Sequence, residues 1–147
     1  MNKLLLITAI LFSYIQTGCA MEASVPSVTP QEAVKMQQQG VLLIDVRTRP
    51  EFDLVGHSKE AVNIPYKTYP SWQVDPDFEK HVLAVSHGKK VLIICRSGKR
   101  SMAASTLLRK AGIEAINIVE GFEGPKDSRG HRNSDKGWKN HDLPWGY

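Results

Sequence analysis

The chain has 147 residues, of which 41% are hydrophobic and 23% are charged, with 11 Gly and 8 Pro. This length fits one domain, and the mixture excludes a disordered, collagen-like or disulfide-framework protein. The formal net charge of +4 is a modest excess, and it gives no case for a nucleic acid as partner. We therefore expect a small globular domain whose function depends on where its charges lie.

The amino terminus has the pattern of an export signal. Lys3 precedes an apolar run over residues 4–12, which is too short for a bilayer that needs roughly 20 residues and is typical of a secretory signal peptide. Residues 1–20 are predicted to be this signal, with cleavage before Met21. Acylation of Cys19 as a lipoprotein residue and retention as an anchor remain open. In each case the sequence predicts export into a bacterial periplasm. We expect the mature protein to attach to the membrane only if Cys19 is lipidated or the signal is retained as an anchor.

Removal of residues 1–20 leaves a single thiol, Cys95. An intramolecular disulfide is then impossible, even though an oxidising compartment favours disulfides. A lone exported cysteine is either a buried, inert side chain or one that serves a chemical purpose.

The predicted elements alternate between helices and strands. A helix begins after Thr29 with Pro30 in its first turn and Glu32 completing a capping box, and Gly40 ends it. The next elements, in chain order, are a strand over 41–46, a helical turn over 50–55, a strand over 61–64, a helix over 76–86 capped by Asp75, a strand over 90–94, a helix over 100–111 and a strand over 115–119. This order predicts an α/β fold with a mostly parallel sheet of about five strands and helices on both faces.

The last part of the chain, residues 121–147, is polar and rich in glycine. It contains Trp138 and Trp145, and such large apolar rings usually pack against a core. We therefore expect this C-terminal extension to dock on the domain.

One loop has the composition of a reaction site. The six residues that follow strand 90–94 are Cys95, Arg96, Ser97, Gly98, Lys99 and Arg100. Ligands bind at the carboxyl ends of parallel strands, and the free N–H groups of the next helix stabilise a thiolate there. Gly98 permits a tight turn, and Ser97 can donate a hydrogen bond. The loop therefore predicts a nucleophile in an anion-binding nest.

The charge distribution supports an anionic substrate. Residues 80–113 contain eight basic side chains and no acidic one. Arg109 and Lys110 are explained by a helix C-terminus, which favours cations. The three cations of the loop have no such explanation and predict a small anion as ligand.

Three stretches of the chain form a recognisable series. They are Asp45-Val46-Arg47 with Glu51-Phe52, then Gly56-His57-Ser58 with Ala61-Val62-Asn63-Ile64-Pro65, and the loop 95–100. Together they resemble the single-domain rhodaneses, which carry sulfur as a cysteine persulfide. The resemblance covers residues 27–124, which we expect to form the rhodanese domain. Ser58-Lys59-Glu60 departs from the more usual Ile-Pro-Gly of the family.

The resemblance implies a sulfurtransferase that needs no cofactor or metal. Cys95 would take sulfur from a small anionic donor such as thiosulfate and pass it to cyanide or a thiol. Ser97 and the loop N–H groups would hold the persulfide, and Arg96 and Lys99 would bind the oxyanion. The resemblance also makes Arg47 a candidate substrate contact. Asp45 is expected to order the loop by pairing with Arg100.

Three alternatives remain open. Cys95 could be an inert core residue, or the domain could carry or sense sulfur without turnover. A cysteine phosphatase of the dual-specificity cell-cycle type shares this fold, but its Cys and Arg are separated by five residues, whereas four separate Cys95 from Arg100. The sulfurtransferase hypothesis requires that solvent and substrate reach the Cys95 thiol and that the neighbouring cations face it.

Overall fold

The computed structural model describes residues 24–147, so the predicted signal peptide lies outside the described residues. The strands are β1 (Ser27–Val28), β2 (Leu42–Asp45), β3 (Val62–Asn63), β4 (Val91–Ile94) and β5 (Ala115–Ile118). The helices are α1 (Pro30–Gln38), α2 (Arg49–Val55), α3 (Phe78–Ser86) and α4 (Lys99–Lys110), and Trp138–Asn140 forms a short 3₁₀ helix. This alternation confirms the α/β prediction. None of these helices combines the length and apolar character that a membrane crossing requires.

The five strands form one parallel sheet in the order β1-β5-β4-β2-β3. In its middle, Ile93 of β4 is in register with Ile44 of β2 and Asn117 of β5. From β2 the chain continues outward to β3, and from β4 it continues in the opposite direction to β5. The strand order therefore reverses between β2 and β4, and ligands of open parallel sheets bind at the carboxyl ends of strands at such a point.

The start of α1 follows the predicted capping box. The backbone N–H of Thr29 donates to Glu32 Oε2 at 2.8 Å, and the N–H of Glu32 donates to Thr29 Oγ1 at 3.2 Å. These two bonds satisfy N–H groups that have no partner inside the helix.

Helix α3 begins two residues later than predicted. Asp75 does not cap the helix but closes a turn in front of it, because its Oδ1 accepts from the N–H of Asp77 at 3.0 Å and its carbonyl accepts from the N–H of Phe78 at 3.1 Å. Asp77 is the residue that precedes the first helical position. The physical reason is local competition, since an aspartate can bond to the backbone two residues ahead and form a turn instead of a cap.

Two apolar layers cover the sheet. Ile93 and Cys95 face the side packed by α3 and α4, whereas Leu92 and Ile94 face the side packed by α1 and by Trp138. This alternation is the normal consequence of the two-residue repeat of a strand. Cys95 therefore has core residues on its inner side and the end of β4 next to it.

The C-terminal segment, residues 121–147, packs on the second of these layers. Trp138 is 1% exposed, and its indole Nε1 donates to the carbonyl of Pro144 at 3.0 Å. Further on, Gly146 forms an antiparallel bridge with His57, with N–H to O distances of 2.8 and 2.9 Å. The segment thus returns along the domain to the region that follows α2.

Candidate active site

Cys95 is the first residue after β4, and the chain turns from it directly into α4. Gly98, just before α4, has a φ of 90°, a left-handed conformation that glycine adopts without the steric cost of a Cβ. This turn directs the N–H of Gly98 back to the sulfur, at 3.2 Å from Cys95 Sγ. The backbone therefore donates a hydrogen bond to the sulfur.

Ser101 is a second donor to the sulfur, and it is not among the residues that the sequence predicts for the site. Its Oγ lies 3.4 Å from Cys95 Sγ and 3.0 Å from the carbonyl oxygen of Gly98. Because a hydroxyl has one proton, it donates to one of these acceptors at a time. The available signal is position: helical side chains point toward the helix N-terminus, so a serine in the first turn of α4 lies over the loop.

The Cys95 residue is only 1% exposed, which is what the inert-cysteine alternative predicts. On one side, however, Cys95 is not surrounded by core residues. There Cys95 is one of the residues that line a cavity of about 600 Å³.

The cavity is strongly cationic. Of the residues that line it within 24–147, none carries a carboxylate and six carry a positive charge. These are Lys67, Arg96, Lys99, Arg100, Lys126 and Arg132. Ser97 also lines the cavity. The structure thus brings most of the sequence-predicted loop residues together around the thiol, and it adds cations from the segment after β3 and from the C-terminal segment.

Arg100 pairs with Glu51, and the expected pairing of Asp45 with Arg100 is wrong. The Arg100 guanidinium donates to the two carboxylate oxygens of Glu51 at 2.8 and 2.7 Å. Two parallel bonds of this kind are the strongest form of ion pair between side chains. Glu51 also accepts from the N–H and the hydroxyl of Thr48, at 3.0 and 2.9 Å, so this carboxylate connects the start of α2 to the start of α4.

The environment of Glu51 stabilises its charged form. Burial raises the pKa of this carboxyl, but the hydrogen bonds from Arg100, the positive charge of Arg100 and the bonds from Thr48 outweigh burial and lower the pKa to about 2. Burial likewise lowers the pKa of Arg100, and the Glu51 carboxylate outweighs it, so that the net shift is upward. The pair is therefore ionised throughout the physiological range.

Arg47 does not reach the cavity, which corrects its expected role as a substrate contact. Its side chain is fully buried, with Nη2 2.7 Å from Asp45 Oδ2 and 2.7 Å from the carbonyl of Gly56. Its guanidinium carbon lies 4.3 Å above the ring of Phe122. Asp45 and Arg47 thus form a buried ion pair that joins the end of β2 to the end of α2, since a buried charge must be paired.

Residues 121–123 pack against the loop 95–100 and hold it by backbone hydrogen bonds. The N–H groups of Phe122 and Glu123 donate to the carbonyls of Cys95 and Arg96 at 2.8 and 2.9 Å. These bonds require a close approach, and a Cβ on Gly121 would lie 2.6 Å from the carbonyl oxygen of Cys95. A side chain at this position would displace the loop that holds the thiol.

Two histidines of the C-terminal segment each approach a carboxylate. His141 Nε2 lies 2.7 Å from Glu120 Oε2, and His131 Nδ1 lies 3.9 Å from Asp127 Oδ2. Within residues 24–147, no three His, Cys, Asp or Glu side chains form a group that could hold a metal ion. Neither histidine therefore belongs to a candidate metal site in this part of the chain.

The fold is shared with known proteins. The sequence profile of the rhodanese-like domain family matches residues 29–127. A crystal structure of a protein from M. tuberculosis superposes with a TM-score of 0.71 at 32% identity, over 84% of this chain and 98% of that one.

Two further proteins are similar to this chain in sequence. An uncharacterized protein of Rickettsia rickettsii is 35% identical over 128 residues, which is 83% of this chain and 98% of the relative. The thiosulfate sulfurtransferase GlpE of Haemophilus influenzae is 28% identical over 69% of this chain and 88% of its own length. The family profile matches most of the chain, and the structure has a parallel five-stranded sheet with the cysteine loop at the carboxyl ends of its strands. The chain therefore belongs to the rhodanese-like domain family.

Proposed function

We propose that this protein is a sulfurtransferase that moves sulfane sulfur from thiosulfate, or a related anionic donor, to cyanide or a thiol through a persulfide on Cys95. The observation that carries the proposal is the position of the sulfur. Cys95 Sγ accepts the Gly98 N–H at 3.2 Å, and Cys95 is among the residues that line a cavity with six cations. A thiolate nucleophile and its anionic substrate need both features.

In the first half-reaction, the Cys95 thiolate attacks the outer sulfur of thiosulfate. A sulfur–sulfur bond forms to Cys95, the bond to the sulfonate sulfur breaks, and its electron pair leaves with sulfite. The product is a Cys95 persulfide anion, so charge and atoms balance. The N–H of Gly98 and the hydroxyl of Ser101 lie where they stabilise negative charge on sulfur, and preorganised donors of this kind lower the barrier.

In the second half-reaction, the acceptor attacks the outer sulfur of the persulfide and the Cys95 thiolate leaves. Arg96 and Lys99 line the cavity and attract the anionic donor and then the anionic acceptor. The two substrates use the same cavity in turn, so ping-pong kinetics are expected. The relative GlpE is named a thiosulfate sulfurtransferase, which supports this assignment at the level of the family.

The test is the mass of the protein. Treatment with thiosulfate should add one sulfur atom, and cyanide should remove it with formation of thiocyanate. Cys95→Ser should abolish both the added mass and turnover while leaving the circular dichroism spectrum intact. Substantial turnover by Cys95→Ser would refute the persulfide route. A stable persulfide that no acceptor removes would indicate the sulfur-carrier alternative, and hydrolysis of p-nitrophenyl phosphate would indicate the phosphatase.

We also propose that the protein acts in a bacterial periplasm. This proposal is supported by the signal-like pattern of residues 1–20. Expression of the full chain in a Gram-negative host, followed by fractionation and mass measurement, distinguishes cleavage before Met21 from acylation of Cys19. Recovery of the full-length chain in the cytosol would contradict export.

A further inference from the structure

Residues 121–123 are hydrogen-bonded on two sides. On one side, their N–H groups donate to carbonyls of the cysteine loop, residues 95–100. On the other side, two of their carbonyls accept from N–H groups of the 3₁₀ helix, Gly121 from Trp138 at 2.9 Å and Phe122 from Lys139 at 3.1 Å. The position of the cysteine loop is therefore coupled, through residues 121–123, to the position of the 3₁₀ helix.

One carboxylate oxygen, Glu120 Oε2, holds both ends of this 3₁₀ helix. The N–H of Gly137, the residue before the helix, lies 2.9 Å from it. His141 Nε2, in the residue after the helix, lies 2.7 Å from it. The side chains of Glu120 and His141 are mostly shielded from water, with 24% and 22% exposed. The Glu120–His141 pair therefore fixes the 3₁₀ helix next to the end of β5.

The Glu120 carboxylate is in its charged form at neutral pH. Burial raises the pKa of this group, but the hydrogen bonds from Gly137 and His141, together with the positive charge of Lys136, outweigh burial and lower the pKa below its ordinary value of 4.5. An ionised carboxylate only accepts hydrogen bonds. Both Gly137 and His141 are therefore donors to it.

The backbone at Glu120 also packs against the cysteine loop. A Cβ placed on Gly98 would lie 3.1 Å from the carbonyl oxygen of Val119 and 3.6 Å from the backbone nitrogen of Glu120. Gly98 carries the N–H that donates to Cys95 Sγ at 3.2 Å. A shift of the backbone at Val119 and Glu120 would therefore change the distance between this N–H and the sulfur.

We propose that Glu120 and His141 are positioning residues for the cysteine loop. Their pair fixes the C-terminal segment on residues 121–123, and these residues in turn set the position of the Gly98 N–H. Neither side chain lines the cavity beside Cys95, so both act through the backbone. The expected effect on turnover rests on the sulfurtransferase function proposed above, whereas the expected effect on the reactivity of the thiol does not.

Charge and position predict opposite effects of Glu120→Gln. The variant removes a negative charge beside the loop, and the loss of such a charge stabilises an anion nearby. Through charge alone, alkylation of Cys95 would become faster and KM for thiosulfate would fall. If Glu120 positions the loop, its loss weakens the hydrogen bond to the sulfur and alkylation becomes slower. The sign of the change separates the two explanations.

The experiment measures alkylation of Cys95 by iodoacetamide at pH 7 and turnover from thiosulfate to cyanide. Glu120→Gln should lower both the alkylation rate and kcat about fivefold, the effect expected for one hydrogen bond. KM for thiosulfate should change by less than about twofold, since the binding cations stay in place. His141→Ala should have the same effect, whereas His141→Gln, which retains an N–H donor, should restore about half of the wild-type rates.

Asp135→Asn is the matched control. It removes an exposed carboxylate from the same segment, one that accepts from the hydroxyl of its neighbour Ser134 at 3.1 Å, and it should leave both rates unchanged. The double variant Glu120→Gln/His141→Ala should lose no more than either single variant, because the two residues act as one pair. Circular dichroism and thermal unfolding verify the fold of each variant. Should Glu120→Gln not fold, His141→Ala and His141→Gln decide the question.

The outcomes separate this proposal from the proposed function. If Glu120→Gln and His141→Ala alkylate at or above the wild-type rate, or if Asp135→Asn loses as much as they do, the positioning role is wrong, and the sulfurtransferase function stands as long as the wild type forms thiocyanate. If the wild type forms no persulfide but the alkylation rates change as expected, the positioning role holds and the sulfurtransferase function fails.

Discussion

The carboxylate of Glu51 accepts hydrogen bonds from both terminal nitrogens of Arg100, at 2.8 and 2.7 Å, although the two residues are 49 positions apart in the chain. This pair ties helix α2 to the first turn of α4, and therefore to the loop that holds the Cys95 thiol. It also engages the guanidinium of Arg100 in hydrogen bonds, although the loop motif suggested this group for substrate binding.

The first prediction concerns acid stability. Because the pKa of Glu51 falls from its ordinary value of 4.5 to about 2 in the folded protein, its stabilising contribution is complete above about pH 4.5 and is lost as the pH falls toward 2. Glu51→Gln should lower the free energy of unfolding at pH 7 by on the order of 2 kcal/mol and flatten its dependence on pH over that window. Urea titrations at several pH values measure this.

The control for this prediction is Glu60→Gln, which removes an exposed carboxylate. It should leave both the stability at pH 7 and its pH dependence close to those of the wild type. Equal pH profiles for wild type and Glu51→Gln would show that the pair does not couple protonation to folding.

The second prediction concerns the hydroxyl beside the sulfur. Ser101→Ala removes a donor that lies 3.4 Å from Cys95 Sγ, so kcat for transfer from thiosulfate to cyanide should fall about fivefold, as expected for one hydrogen bond of about 1 kcal/mol. The rate of Cys95 alkylation by iodoacetamide at fixed pH should fall in parallel.

Ser105 offers a matched control one turn further along α4. Its hydroxyl is buried and has no hydrogen-bond partner within residues 24–147, so Ser105→Ala should leave catalysis unchanged and should not lower stability. If the two alanine variants reduced kcat equally, the role assigned to Ser101 would be wrong.

The third prediction concerns the support of the loop. Gly121→Ala places a Cβ 2.6 Å from the carbonyl oxygen of Cys95 at a φ of 68°. Gly112→Ala has a similar φ of 82° but meets no atom within 4 Å. Both variants should lose about 1–2 kcal/mol from backbone strain, and only Gly121→Ala should also lose most of its activity through displacement of the loop.

Thermal unfolding and thiosulfate:cyanide turnover of the two glycine variants test this difference. Full activity of Gly121→Ala would mean that the loop can move away from residues 121–123 without harm to the site.

The fourth prediction concerns the charge of the cavity. Lys99 lines it, so Lys99→Ala should raise KM for thiosulfate several-fold at low ionic strength and much less at 1 M salt, where the screening length falls to about 3 Å. Lys89→Ala, outside the cavity but within the same basic segment, should have little effect at either. A salt-independent effect of Lys99→Ala would argue against a role for its charge.

The amino-acid sequence by itself determined the order of elements and the place of the nucleophile. The capping box at Thr29, the continuous apolar runs of β2 and β4, and the glycine before α4 act over a few residues, so their structural consequences can be predicted from local patterns. The loop 95–100 follows from the same local rule, since a strand that ends before a helix N-terminus leaves its cysteine beside free N–H groups.

The tertiary structure alone decided which charges meet. Asp45 and Glu51 are both carboxylates close to Arg47 in sequence and far from the loop 95–100, and only their positions in space assign Arg47 to the first and Arg100 to the second. Ser101, Lys126 and Arg132 likewise reach the cavity through the packing of α4 and of the C-terminal segment. Ion pairs depend on distances and burial that arise after the elements pack together, and residue type does not encode either quantity.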